Sequence, residues 1–162
     1  MGIKIVAAPV LAIIGALVLV PSAAFSLNNG NPWTEKANLV TANSCRTPFV
    51  HPHSQIRGNV EATLTPQRSS HDTPLIAAIA NVRNQTPFKH LDLDAFEPTV
   101  VNGKITGCTG PFLIAEIVTN SKGTGKGYGS TSLPQGDNTQ VVRLAITDPS
   151  GSVMLISPSW RI

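Results

Sequence analysis

The chain has 162 residues, of which 13% are charged and 5% aromatic, with a formal net charge of +3. That length fits one domain plus a leader. A charged fraction far below the roughly 25% of ordinary soluble domains, with no run of Lys or Arg, excludes a surface built to neutralise nucleic-acid phosphates.

The first 26 residues stand apart from the rest. One lysine, Lys4, precedes an apolar run from Ile5 to Val20, and small residues follow at Ser22, Ala23, Ala24 and Ser26. This is the order of a secretory signal peptide, with cleavage expected after Ala24 or after Ser26. The alternative is an uncleaved membrane anchor over residues 5–25, since roughly 20 apolar residues span a bilayer. Pro9 and Gly15 interrupt the run and Pro21 ends it, which favours cleavage. Either reading places the remainder outside the cytoplasm, secreted or at the cell surface. Residues 27–36 read as a linker and 37–162 as the folded domain.

Short β-like runs then recur between turn residues. Residues 37–42 form a brief run. Residues 56–65 alternate, with Ile56, Val60, Ala62 and Leu64 on one face and Arg57, Asn59, Glu61 and Thr63 on the other, as in a half-buried strand. Residues 74–84 are denser in apolar side chains and read as a central strand bounded by Pro74 and Pro87. Residues 90–96 alternate again, predicting Leu91, Leu93 and Ala95 inward and Asp92 and Asp94 outward. Asn102-Gly103 is a hairpin signal. Residues 111–119 and 140–148 are strands on either side of a glycine-rich stretch, and after a turn at Asp148-Pro149 residues 152–157 form the last. About seven strands with turns every 8 to 12 residues, and no amphipathic helix, predict an all-β antiparallel sandwich.

The glycine-rich stretch GTGKGYGSTSLPQG, residues 123–136, is not a phosphate cradle. A Walker A loop needs Gly-Lys followed by Ser or Thr, whereas Gly125-Lys126 is followed by Gly127. A dinucleotide site needs a helix after the glycines, and here Leu133-Pro134 and a strand follow. Residues 120–138 are expected to be an exposed, mobile loop joining two strands, 111–119 and 140–148, that pair with each other. Lys122, Lys126 and Tyr128 are its candidate contact residues, and residues 45–55 form a second candidate contact loop.

Cys45 and Cys108 are the two cysteines. In an oxidising compartment an even pair most simply forms a disulfide. The competing reading is a metal site. Pro52 keeps His51 and His53 on one side of an extended segment, where Cys45 or His71 could join them as zinc or copper ligands. No histidine follows Cys108, which excludes a blue-copper centre. Ser, His and Asp within 69–72 are sequence neighbours, whereas hydrolytic triads are assembled from separate loops. Asp92 and Asp94 are more simply a polar stripe than paired catalytic carboxylates.

The segment SLPQGDNTQVVRLAITDPSG, residues 132–151, has a Pro-x-Gly turn, a polar spacer and an alternating strand ending at Asp-Pro. It resembles the penultimate hairpin of the secreted immunoglobulin-like β-sandwich family typified by the mycobacterial antigen MPT63. The order of leader, alternating strand and Asn-Gly turn upstream is similar too, so that the likeness spans residues 56–160. The Cys45–Cys108 pair departs from it. The resemblance implies a secreted sandwich without established enzyme activity. The expected function is thus an exported, non-enzymatic binding or structural module of a bacterial cell surface. It is expected to have a protein or surface partner, no cofactor, nucleotide or nucleic acid, and membrane contact only if the leader is retained. The alternatives are an anchored accessory subunit of a membrane or filament assembly, and an extracytoplasmic metal binder using His51 and His53.

Overall fold

A computed structural model describes residues 31–49, 55–67, 73–134 and 140–162. The leader, His51, His53, His71, the Ser-His-Asp neighbours and the spacer at 135–139 lie outside the described residues. Nine strands and no helix occupy the described part: β1 Trp33–Thr41, β2 Arg57–Thr65, β3 Leu75–Arg83, β4 His90–Val101, β5 Lys104–Val118, β6 Gly125–Ser132, β7 Val141–Thr147, β8 Val153–Ile156 and β9 Trp160–Arg161. No helix among them is long and apolar enough to cross a membrane. β1 begins at Trp33, so 33–36 belong to the folded domain and not to the linker.

Alternation decides which side chains enter the core. In β2 the side chains of Val60, Ala62 and Leu64 are buried while Arg57, Asn59, Glu61 and Thr63 face solvent. In β3 Ile76, Ala78, Ala80 and Val82 point inward. Every strand pairing is antiparallel, and the strands follow one path, β5-β4-β7-β8-β1-β2-β3-β6, with β9 added to β7. β1 is the bend in that path. Its first part pairs with β2, and Val40 and Thr41 pair with β8. The result is a nearly closed, barrel-like sheet around a core that includes Leu39, Leu64, Ile76, Leu93, Ile117, Leu144 and Leu155.

Three further expectations need correction. Residues 125–132 are not a mobile loop. They form β6, which pairs with β3 from Val82–Gly125 to Leu75–Ser132. Nor do β5 and β7 pair with each other. β4 lies between them, joined to β5 by the Asn102-Gly103 hairpin and to β7 along its other edge. Both turn residues have positive φ, 51° and 73°, as the tightest hairpin turns require.

The third correction concerns Asp94, which is buried, with 3% of its surface exposed. The alternation itself holds, since Asp92 and Asp94 share the face opposite Leu93. That face is covered. Val40, Phe96, Ala145, Val153 and Ile156 form a second apolar cluster on it, with Ala42, Cys45 and Cys108 packed against them. The segment after β1 folds over this cluster as a flap, and Cys45 is bonded to Cys108 of β5 with a Cα separation of 6.5 Å, inside the range that a disulfide can bridge. Arg143, only 1% exposed, holds the same flap. Its Nε donates to the Ser157 carbonyl at 3.0 Å, and one terminal nitrogen donates to the carbonyls of Cys45 at 2.8 Å and Thr47 at 2.7 Å.

Burial pushes the Asp94 carboxyl above its ordinary pKa, and the charge of Asp92 adds to this. A 2.6 Å hydrogen bond from the Thr147 hydroxyl opposes them. A raised folded-state pKa means that the stabilising form is the protonated one. That contribution is complete below the ordinary aspartate pKa of about 3.9 and is lost as pH rises through the raised value. Asp94→Asn keeps an acceptor for Thr147 and removes the charge. It is expected to be more stable than the parent in urea at pH 7, with the gap closing near pH 3. An equal loss of stability at both pH values would show that the carboxylate is well solvated in the fold.

Candidate functional site

The free face of the sheet formed by β1, β2, β3 and β6 is built from the side chains that alternation sends outward. Strand register aligns them in rows. Lys36, Glu61, Ile79 and Tyr128 form one row, and Asn38, Asn59, Asn81 and Lys126 form the next. Beyond these, Arg57 and Arg83 lie directly opposite each other on β2 and β3. Lys36 Nζ and Glu61 are joined by an exposed ion pair of 3.0 Å.

β6 contributes to this face in a way its glycines determine. Gly125, Gly127 and Gly129 take the inward positions, and Lys126, Tyr128 and Ser130 take the outward ones. The inward side has no room for a side chain. A Cβ on Gly129 would lie 1.9 Å from the Ile114 carbonyl oxygen, and one on Gly127 would lie 2.5 Å from Ile117 Cγ1. The strand is thereby pressed onto β5, and Tyr128 stands on a rigid backing with 74% of its surface exposed.

The β5–β6 turn is tied as firmly. Asn120 Oδ1 accepts from the backbone N–H groups of Lys122 at 2.9 Å and Thr124 at 3.2 Å. Gly123 sits at a φ of 68° with its carbonyl accepting from Gln85 N at 3.0 Å. Thr119 Oγ1 accepts from Lys89 N at 2.8 Å and donates to the Thr86 carbonyl at 2.7 Å. Lys122 is exposed on this turn, while Lys126 and Tyr128, expected on a loop, stand on a strand.

Where the turn meets β3, a shallow open depression is lined by Asn81, Arg83, Val118, Asn120, Thr124 and Lys126. No carboxylate lines it. Guanidinium groups offer a planar fork of donors to carboxylate, sulfate or phosphate. Asn amides can both donate to and accept from hydroxyls, and an exposed phenol ring gives a flat apolar surface with a polar tip. Among the described residues no group of three or more His, Cys, Asp or Glu is brought together. His90 is exposed at the start of β4, paired with Val118.

Lys122, Lys126 and Tyr128 stand out in the sequence, whereas Asn81, Arg57 and Arg83 do not stand out as contact residues. Those two arginines are 26 positions apart, and only the β2–β3 register makes them neighbours. One signal was available. Glycines at 125, 127 and 129 carry the period of a strand, which predicts that the residues between them share the opposite face. Comparison of the chain with family models, curated proteins and solved structures finds no match.

Proposed function

We propose that this protein is an exported, non-enzymatic binding module that makes its contacts through the outer face of β2, β3 and β6, centred on Lys126 and Tyr128. One observation carries the reading: β6 gives every inward position from 125 to 129 to glycine and places Lys126 and Tyr128 outward on a backbone packed closely against β5. A large aromatic side chain held in solvent on a rigid strand loses little further freedom when a partner covers it. The charge order of residues 1–26 supports export, and the Cys45–Cys108 bond is the kind that persists in oxidising compartments. Side chains of β1, β2 and β3 meet those of β4, β5, β7 and β8 in one core, which supports an immunoglobulin-like layering.

The test uses the protein as exported. Its mass should correspond to a start after Ala24 or Ser26, whereas an intact Met1 would favour the anchored accessory subunit. The mature protein should sediment with cell-envelope material of its source organism. Tyr128→Ala should weaken that association roughly tenfold, as loss of a central aromatic contact does, with the thermal unfolding midpoint unchanged. Undiminished association of the variant would remove this face from consideration.

A further inference from the structure

Resting on the reading that this face is the contact surface, the geometry points to a partner class: we infer that it binds an anionic polysaccharide laid across the strands. Arg57 and Arg83 are held opposite each other by a register of nine consecutive β2–β3 pairs. Like charges directly opposite on neighbouring strands are destabilising. Lys126 is diagonal to Arg83, one row away, and Lys122 extends the cationic corner onto the turn. Among the described residues no carboxylate pairs with any of these cations. A conformational cost kept without an internal counterion is one that an anionic ligand would relieve.

The row beside this corner selects among polyanions. Asn38, Asn59 and Asn81 cross three strands in line and end at Lys126. Strands are spaced about 4.8 Å apart, comparable with one sugar unit of an extended chain, so successive amides can meet the hydroxyls of successive sugars. Tyr128, beside Lys126 on β6, offers a ring face for a sugar to lie on. A protein partner would be anchored by apolar side chains in pockets at the centre of its interface, whereas this row is made of amides. A single-stranded nucleic acid would call for several stacking aromatics, and Tyr128 is the one aromatic residue of β2, β3 and β6.

Affinity electrophoresis of the mature protein tests the inference with four polymers: polygalacturonate, neutral dextran, polyglutamate and polyadenylate. Retardation is expected in polygalacturonate and not in dextran, and it should weaken with added salt. Arg83→Gln and Lys126→Gln should each reduce it roughly tenfold, the equivalent of one charge-assisted hydrogen bond. Arg83→Gln should at the same time leave the unfolding midpoint equal or higher, because it removes the opposed arginine pair; a role in folding alone would lower it. Retardation by polyglutamate or polyadenylate as strong as by polygalacturonate would overturn the inference, as would polygalacturonate binding unchanged in both variants. If no polymer retards the protein but envelope binding still depends on Tyr128, the polysaccharide is wrong and the contact face stands. If Tyr128→Ala leaves envelope binding intact, the underlying reading fails with it.

Discussion

Gly129→Ala is expected to destabilise the fold by about 3 kcal/mol or more, the upper end of overpacking effects. The new Cβ would lie 1.9 Å from the Ile114 carbonyl oxygen and 3.3 Å from Ala115 Cβ. Backbone cannot rotate out of the way as a flexible side chain can. The contact arises because β5 and β6, the two ends of the strand path, are consecutive in the chain and lie against each other. A shift in the β4–β5 register between Leu93 and Asp94 leaves Ile114 without a partner on β4, and a bulge of this kind bends the strand. The carbonyls of Ile114, Glu116 and Val118 then lie over the sites of Gly129, Gly127 and Gly125. Three glycines thus cover a strand edge that would otherwise be open to pairing with another chain. Gly103→Ala is the control. Nothing lies within 4 Å of its added Cβ, and only its φ of 73° opposes the change, a penalty of about 1 to 2 kcal/mol. Urea unfolding of the two variants should separate them clearly. Equal losses would mean that β5 and β6 can move apart, and that closure of the sheet does not depend on the glycine face.

The same glycines explain where sequence reading stopped. Strands rich in Val, Ile and Leu declare their buried face, and β2, β3, β7 and β8 lie close to the expected positions. β6 hides its periodicity because its inward residue has no side chain to be called apolar. Its composition is that of a loop, while its inward spacing is that of a strand. Asp94 failed differently. Alternation gave its face correctly, but whether a face meets water depends on the flap formed by 42–49, a distant piece of chain. Arg143 on the partner strand is a cation in an alternating run that lies inside because the flap's carbonyls receive it. On the outer face of β6, exposure of Lys126 and Tyr128 is legible from local polarity. The pairing of Arg57 with Arg83 required the register between two strands, which no single segment encodes.

The flap carries the second large expected effect. Replacing both cysteines by serine should cost about 4 kcal/mol if the bond acts by closing a long loop in the unfolded chain; the bonded positions are 63 apart. Arg143→Met should also be costly, by about 2 to 4 kcal/mol, since it leaves buried carbonyl groups unpaired. Those are the carbonyls of Cys45, Thr47 and Ser157. Burial lowers the guanidinium to about 10, so it is still charged at neutral pH, and its hydrogen bonds to neutral carbonyls are charge-assisted. The two devices grip the same segment at the same residue, through the side chain of Cys45 and through its backbone. Their effects should therefore not add. Once the disulfide is gone, the flap can lift and water can reach the carbonyls, so Arg143→Met should then cost about 1 kcal/mol less than in the parent, within the range of coupling seen between residues in contact. Guanidinium chloride unfolding of the parent, the cysteine double variant, Arg143→Met and the triple variant gives this difference directly. Arg143→Lys should behave more like Arg143→Met than like the parent, because one ammonium on a shorter reach cannot serve Ser157 and the flap together. Strict additivity, to within about 0.5 kcal/mol, would mean that the flap stays seated on Phe96, Ala145 and Ile156 by apolar contact alone, with the disulfide acting only on the unfolded chain.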